Sequence, residues 1–169
     1  MKFGVGQPMT RVEDDRLITG HGRYTDDVSL PDQAYAVLVR SPYAHAKLGE
    51  VDTTEAKSAE GVLAVYTIAD LDAAGYDEVP NVAYAMVKNR DGSPMYKTTR
   101  PILARDRVRF AGEPVAVVVA TSEALARDAA ELVMPDYDEL PVVVDTEGAA
   151  SSDAPVIWEE CGSNVVYDW

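Results

Sequence analysis

An α/β fold is the class this sequence predicts, on three observations. Residues 110–133, FAGEPVAVVVATSEALARDAAELV, lead a valine-rich strand into a helical pattern. Residues 62–75, VLAVYTIADLDAAG, repeat strand then helix on a smaller scale, and QAYAVLVRS at 33–41 adds a further apolar run. Strands interleaved with short helical segments are the signature of sheets with helices packed on them.

The elements follow in order. The first 30 residues are turn-rich, with Gly20, Gly22, paired acids and Pro31, and should lie extended. Gln33 to Ser41 reads as a largely buried strand ended by Pro42. Asp52 and Glu55 have capping-box spacing, with Gly61 as a stop, so a short helix belongs between them. Val62 to Thr67 is a second strand, and Thr67 then caps a brief helix that ends near Gly75. From Tyr76 to Arg100 periodicity fades into a long excursion with room for one short strand.

Pro114 to Ala120 has two apolar faces and should be a central strand. The next helix can start at Thr121 or Ser122, with Leu125, Ala129, Leu132 and Val133 as its buried stripe, an Arg127–Glu131 surface pair and Pro135 as its stop. Asp136 to Asp145 returns as a strand of undetermined direction, and residues 146–155 form a polar loop. The aromatic ending, with Tyr167 and Trp169, suggests a chain that enters further structure.

Composition narrows the function. At 169 residues the chain can bury a sizeable core without disulfides. Its 29 acids against 15 bases give a net charge of −14, which repels phosphates and argues against nucleic acid as a partner. No run of apolar residues is long enough for membrane insertion, and the N-terminus lacks the apolar core of a signal peptide, so a cytoplasmic location is expected.

The candidate chemical groups are few. His21 and His45 lack metal-ligand spacing; His45 reads as capping a turn or packing at a strand end, and His21 as exposed. Cys161 is the sole thiol, without a partner base or further thiolates. GVGQP opens no helix and follows no strand, and NRDGS lacks the spaced acids of a calcium loop. Glu13, Asp14 and Asp15, like Asp136, Asp138 and Glu139, read as surface charge with local ion pairs. Glu113, between Gly112 and Pro114 at the mouth of the central strand, is the best-placed acid, yet no partner base or pocket can be named for it. It is expected to fix the turn, accepting backbone N–H bonds or pairing with Arg107 or Arg109.

Four stretches carry a resemblance: GQPMTRVEDDRLITGHGRYTDDVSLPDQAYAVLVRSPYAHAKL, RPILARDRVRFAGEPVAVVVA, ARDAAELVMPDYDELPVVVD and NVVYDW. In order, and over essentially the whole chain, they closely resemble the N-terminal region of the large, molybdopterin-binding subunits of the xanthine dehydrogenase, aldehyde oxidase and carbon monoxide dehydrogenase family. Asp32-Gln33 stands where glycine is usual, and Tyr43 where histidine is common.

The resemblance implies an α/β hammerhead with a mixed sheet and packing helices. One domain would cover residues 1–169, with 1–32 an extended arm and 156–169 the start of a link to a downstream molybdopterin-binding region. The family's catalytic glutamate, pterin-binding segments and copper-binding cysteine lie downstream, so no catalytic, cofactor-binding or metal-binding residue is carried onto this chain, Cys161 included.

The parent enzyme would hydroxylate an aldehyde, a heterocycle or carbon monoxide with oxygen from water. Molybdopterin, in its cytosine dinucleotide form, would sit in the parent subunit, and FAD and [2Fe-2S] centres in partner subunits. The chain alone is expected to be inactive. Two other readings are a free-standing module docking on a partner subunit through residues 76–100 and the C-terminal aromatics, and a small enzyme using Glu113 or His45.

Overall fold

The chain forms two compact units, Met1–Gln33 and Ala34–Trp169, in a computed structural model that describes Gly6, residues 9–76 and residues 78–169. GVGQP, Gly6 apart, lies outside the described residues.

In the first unit, the segment expected to be extended carries a short helix, α1 (Asp14–Ile18), with two acids in its first turn and Arg16 in its last, the polarity its dipole favours. Pro31 and Asp32 then form a turn closed by the Gln33 N–H donating to the Leu30 carbonyl at 3.2 Å. Asp32 has φ +59°, the one positive φ outside glycine among the described residues. That conformation explains why glycine suits the position and why an aspartate, which tolerates it better than most residues, can replace it.

The second unit contains β1 (Tyr35–Arg40), β2 (Ala46–Asp52), α2 (Thr54–Ser58), β3 (Val62–Thr67), α3 (Ile68–Ala73), α4 (Ala83–Met86), β4 (Arg107–Val108), β5 (Pro114–Ala120), α5 (Glu123–Ala130), β6 (Met134–Glu139) and α6 (Thr146–Ala149). They build two three-stranded sheets, β1-β5-β3 and β4-β2-β6. Every pairing is antiparallel, so the expected mixed sheet is two antiparallel sheets with helices, still of the α/β class. The segment β5–α5–β6 is therefore no parallel crossover: its second strand joins the other sheet.

β5 is central, as its apolar faces require. Val118 and Ala116 meet Val65 of β3, Ala56 of α2 and Ala129 beside Val133, while Val115 turns to Ala46, Leu48, Ala104 and Val108. Val115 is the extra residue where the β1–β5 register shifts; a bulge re-aims a side chain in this way. Val39 and Val51 pack against both clusters and join the two sheets.

Four expectations change. β1 is half-buried on one face and exposed on the other, because the helices cover a single side of its sheet. The α5 helix ends at Ala130 and β6 begins at Met134, so Pro135 lies in a strand, at the sheet edge where a missing N–H is tolerated. Leu132 is exposed, and Ala126 takes the buried place expected for it, the true stripe being Ala126, Ala129 and Val133. Arg127 pairs with Glu123, at 2.6 Å, rather than with Glu131; an acid one turn N-terminal to a base is the favoured order.

The caps also settle. Thr67 and Asp70 close a box at α3, and the Ser122 hydroxyl accepts the Leu125 N–H at 3.3 Å. At α2 the N-cap is Thr53 rather than Asp52, whose carboxylate accepts the Thr54 N–H at 2.8 Å. Gly61, at φ +72°, lies where a Cβ would meet Leu125 Cδ1 at 2.5 Å, so the turn into β3 packs directly under α5.

The excursion carries the short helix α4 and a single Lys88–Pro94 bridge instead of a strand. It folds back on itself, with the Val79 N–H donating to the Arg100 carbonyl at 2.8 Å and the Asn81 amide to the Thr98 hydroxyl at 3.2 Å. The C-terminal segment lies along it: Tyr96 N–H reaches the Val166 carbonyl at 3.0 Å, and Arg90 N–H the Asp168 carbonyl at 2.9 Å. The polar 146–155 stretch begins with α6, whose N-cap Asp145 accepts the Gly148 N–H at 2.6 Å.

Candidate functional site

The mouth of β5 is the most organised polar corner of the second unit. Gly112, at φ +90°, turns the chain into the strand. The corner is clamped to the end of β1: Gly112 N–H donates to the Ser41 carbonyl at 2.8 Å, Ser41 N–H to the Glu113 carbonyl at 2.9 Å, and Arg40 Nη1 to the Gly112 carbonyl at 2.8 Å. Glu113 itself is 8% exposed. Its Oε2 accepts the Arg109 backbone N–H at 2.5 Å, closing the 109–113 turn.

Burial pushes the Glu113 carboxyl above its ordinary range, and the Arg109 and Phe110 backbone N–H groups, with the Arg109 charge, pull it partly back. The expected pairing with arginine is therefore made through Arg109's main chain. The Arg109 guanidinium stacks on the Trp158 ring at 4.0 Å, and Arg107 pairs with Glu159 at 3.0 Å. The sequence reading missed Trp158, because a cation–π partner some fifty positions away leaves no local signal.

Glu113, Arg109, Trp158 and Arg100 line a cleft of about 420 Å³, with Phe110, Pro101 and Ile157 as apolar walls. The cleft holds an acid but no second titratable side chain hydrogen-bonded to it, so it lacks the base–acceptor pairing of general acid–base chemistry.

The other candidates lie apart. His45 is buried at the start of β2; its Nδ1 is 3.0 Å from the Pro141 carbonyl oxygen and its own carbonyl accepts the Leu140 N–H at 3.1 Å, tying β2 to the chain after β6. β6 nevertheless ends at Glu139, short of the Asp145 end that was expected. The His45 Nε2 is buried without a hydrogen-bond partner, and the Tyr137 ring packs on Tyr43 at 4.9 Å.

His21 lies in the first unit, Nδ1 3.1 Å from the Thr19 hydroxyl. Cys161 is half-buried in a 3-10 turn, its sulfur 4.0 Å from the Val165 carbonyl. Of the acid clusters, Asp14 makes a local pair with Arg11 at 3.0 Å, whereas Asp138 pairs across the sheet with Lys47 at 3.7 Å. Asn164 was not anticipated at all. It accepts the Ile157 N–H at 2.9 Å and donates to the Pro155 and Ala149 carbonyls at 3.0 and 3.1 Å, so one side chain folds the C-terminal segment.

Among the described residues, no group of three or more His, Cys, Asp or Glu side chains is arranged to hold a metal ion, and no helix is long and apolar enough to cross a membrane.

Over residues 19–141 the sequence matches the family described as aldehyde oxidase and xanthine dehydrogenase, a/b hammerhead domain. The chain belongs to this family. Among hammerhead relatives, the carbon monoxide dehydrogenase large chain of Afipia carboxidovorans is 40% identical over 157 residues, which are 93% of this chain and 18% of that one. The nicotine 6-hydroxylase large subunit of Paenarthrobacter nicotinovorans is 41% identical, covering 83% of this chain and 16% of its own length. In three dimensions, quinoline 2-oxidoreductase from Pseudomonas putida superposes with a TM-score of 0.75 at 36% identity, covering 98% of this chain and 20% of that one. The hammerhead chain thus spans about a fifth of the length of these relatives.

Proposed function

We propose that this chain is the N-terminal structural domain of the large subunit of a molybdenum hydroxylase, and that it carries no catalytic, cofactor-binding or metal-binding residue itself. The observation that carries the reading is the hammerhead family match, on a fold that recurs over nearly all of this chain inside relatives about five times as long. In this reading residues 1–169 are one hammerhead domain, 1–32 its N-terminal arm, and 156–169 the start of the connection to a molybdopterin-binding region.

The parent enzyme would act in the cytoplasm on an aldehyde, a heterocycle or carbon monoxide. Its molybdopterin would be in the cytosine dinucleotide form, with FAD and [2Fe-2S] subunits as electron-transfer partners. The residues of this chain do not fit the cofactor. Each of three clefts sets carboxylates against its cations, Glu78 against Lys97, Asp91 and Asp168 against Arg90, and Glu113 against Arg100 and Arg109, so none is an unopposed cationic seat for a phosphate. Arg90 is engaged by Asp168 at 3.0 Å, Arg109 by the Trp158 ring and Lys97 by the Tyr84 ring. What the domain supplies in this reading is an acid-rich scaffold, and no chemical step runs through it.

The test is to express the complete subunit with and without residues 1–169 and measure its molybdenum content. The reading expects soluble, loaded subunit only when the domain is present, and no molybdenum in the 169-residue chain alone. Metal bound by the isolated chain, or a subunit indifferent to losing it, would refute the reading.

A further inference from the structure

The helices α2 and α5 cover one face of the β1-β5-β3 sheet, through Ala56, Ala129 and Val133. On the opposite face the register sets two rows across all three strands, Leu38–Val117–Tyr66 and Ala36–Val119–Ala64. Leu38 is 40% exposed and Tyr66 43%, and Leu63, in the adjoining irregularity of β3, is 59% exposed. All six row positions are uncharged, in a chain with 29 acids. The six positions form a contiguous apolar patch with Arg40, the next residue on that face of β1, at its edge, and an apolar centre with charge at the rim is the composition of a contact surface.

Its size selects the occupant. With strands about 4.8 Å apart and a rise of about 3.4 Å per residue, the rows span roughly 200 Å². A stable complex between separate chains needs about 800 Å² from each partner, so this face alone would not hold a second copy. A tethered segment is not so limited, because the connection supplies an effective concentration in the millimolar range. The relatives provide such a tether, since about four-fifths of their length lies outside the part this chain matches.

We propose that this sheet face is the seat on which an apolar surface of the remaining large-subunit polypeptide docks. The proposal rests on the reading of the chain as one domain of that subunit.

Leu38→Cys and Tyr66→Cys, each in a Cys161→Ser background, report on the face by maleimide labelling read peptide by peptide by mass spectrometry. Each rate is taken relative to the same chain in denaturant. A face covered about 90% of the time labels roughly tenfold more slowly. Fast labelling in the 169-residue chain and tenfold slower labelling in the complete subunit, purified without its partner subunits, are expected.

Equal rates in both would overturn the proposal. So would protection that appears only when partner subunits are added, which would make a separate chain the occupant. Protection of the isolated chain that grows with its concentration would make it a second copy. The subunit lacking residues 1–169 separates the two levels: if it still loads molybdenum, the domain reading fails, and if it does not, while positions 38 and 66 label freely in the complete subunit, only the docking face fails.

Discussion

Replacing Glu113 by alanine removes the acceptor that holds the Arg109 N–H at the mouth of β5. A hydrogen bond to a charged group contributes about 1.5–3 kcal/mol, and the lost methylene adds about 0.8 kcal/mol. Against this, the variant no longer buries a carboxylate whose burial raises its pKa. The net expectation is a loss of about 2 kcal/mol, or roughly 4–8 °C in Tm for a chain of this size. Glu113→Gln keeps the shape and a carbonyl acceptor, so it should stay within about 1 kcal/mol of the wild type at neutral pH.

The pH dependence has a definite sign. Because the folded pKa is raised, the folded state holds the Glu113 proton to higher pH than the unfolded state, where the group titrates near 4.3. Glu113's contribution to stability therefore falls as pH rises from the unfolded to the folded pKa. Relative to Glu113→Gln, the wild type should gain stability as pH is lowered through that window. Thermal unfolding of both proteins across pH 3.5–8, followed by circular dichroism, measures it. A Glu113→Ala Tm within about 1 °C of wild type would refute the turn-fixing role. If the parent enzyme also lost activity in that unperturbed variant, a chemical role would return.

Three further outcomes are expected. Gly61→Ala forces a Cβ onto Leu125 and Thr121 at a positive φ and should cost about 2–4 kcal/mol in denaturant unfolding. Asn164→Ala breaks three bonds within the C-terminal segment; residues 156–169 should then become protease-sensitive and exchange amide hydrogens faster, while β5 keeps its protection. Asp70 is held below its usual range by the Thr67 N–H, so its stabilising part is present above the unfolded pKa and lost as pH falls through the folded one. Asp70→Asn should cost about 1 kcal/mol at neutral pH, and the gap to wild type should close in acid.

What was legible in the sequence was local. The β5 core, β3, the Ser122 cap and the Thr67 box follow from apolar runs and capping residues within a few positions. β2 escaped because its Lys47, Gly49 and Glu50 break an apolar run, and only its pairing with β4 and β6 makes it a strand. β6 shifted because Pro135 looked like a terminator until an edge position accommodated it. At the candidate site, Glu113 was recognisable as a turn-fixing residue from its glycine and proline neighbours. Its partner was not, since choosing between the Arg109 side chain and main chain needs the folded turn. Trp158 and Asn164 act across distances that a sequence pattern does not encode.

The β1-β5-β3 order also has a consequence for the chain during synthesis. β1 and β3 flank β5 without touching each other, so on a ribosome they emerge first and wait without a pairing partner. The sheet closes only after Ala120 has cleared the exit, some eighty positions after its partner Tyr35. At about 5–20 residues per second that wait lasts several seconds. Two unpaired apolar strands are then open to holdase chaperones, or to each other in neighbouring nascent chains. A slowed passage through residues 68–113 should therefore lower soluble yield more than the same delay placed after Ala120.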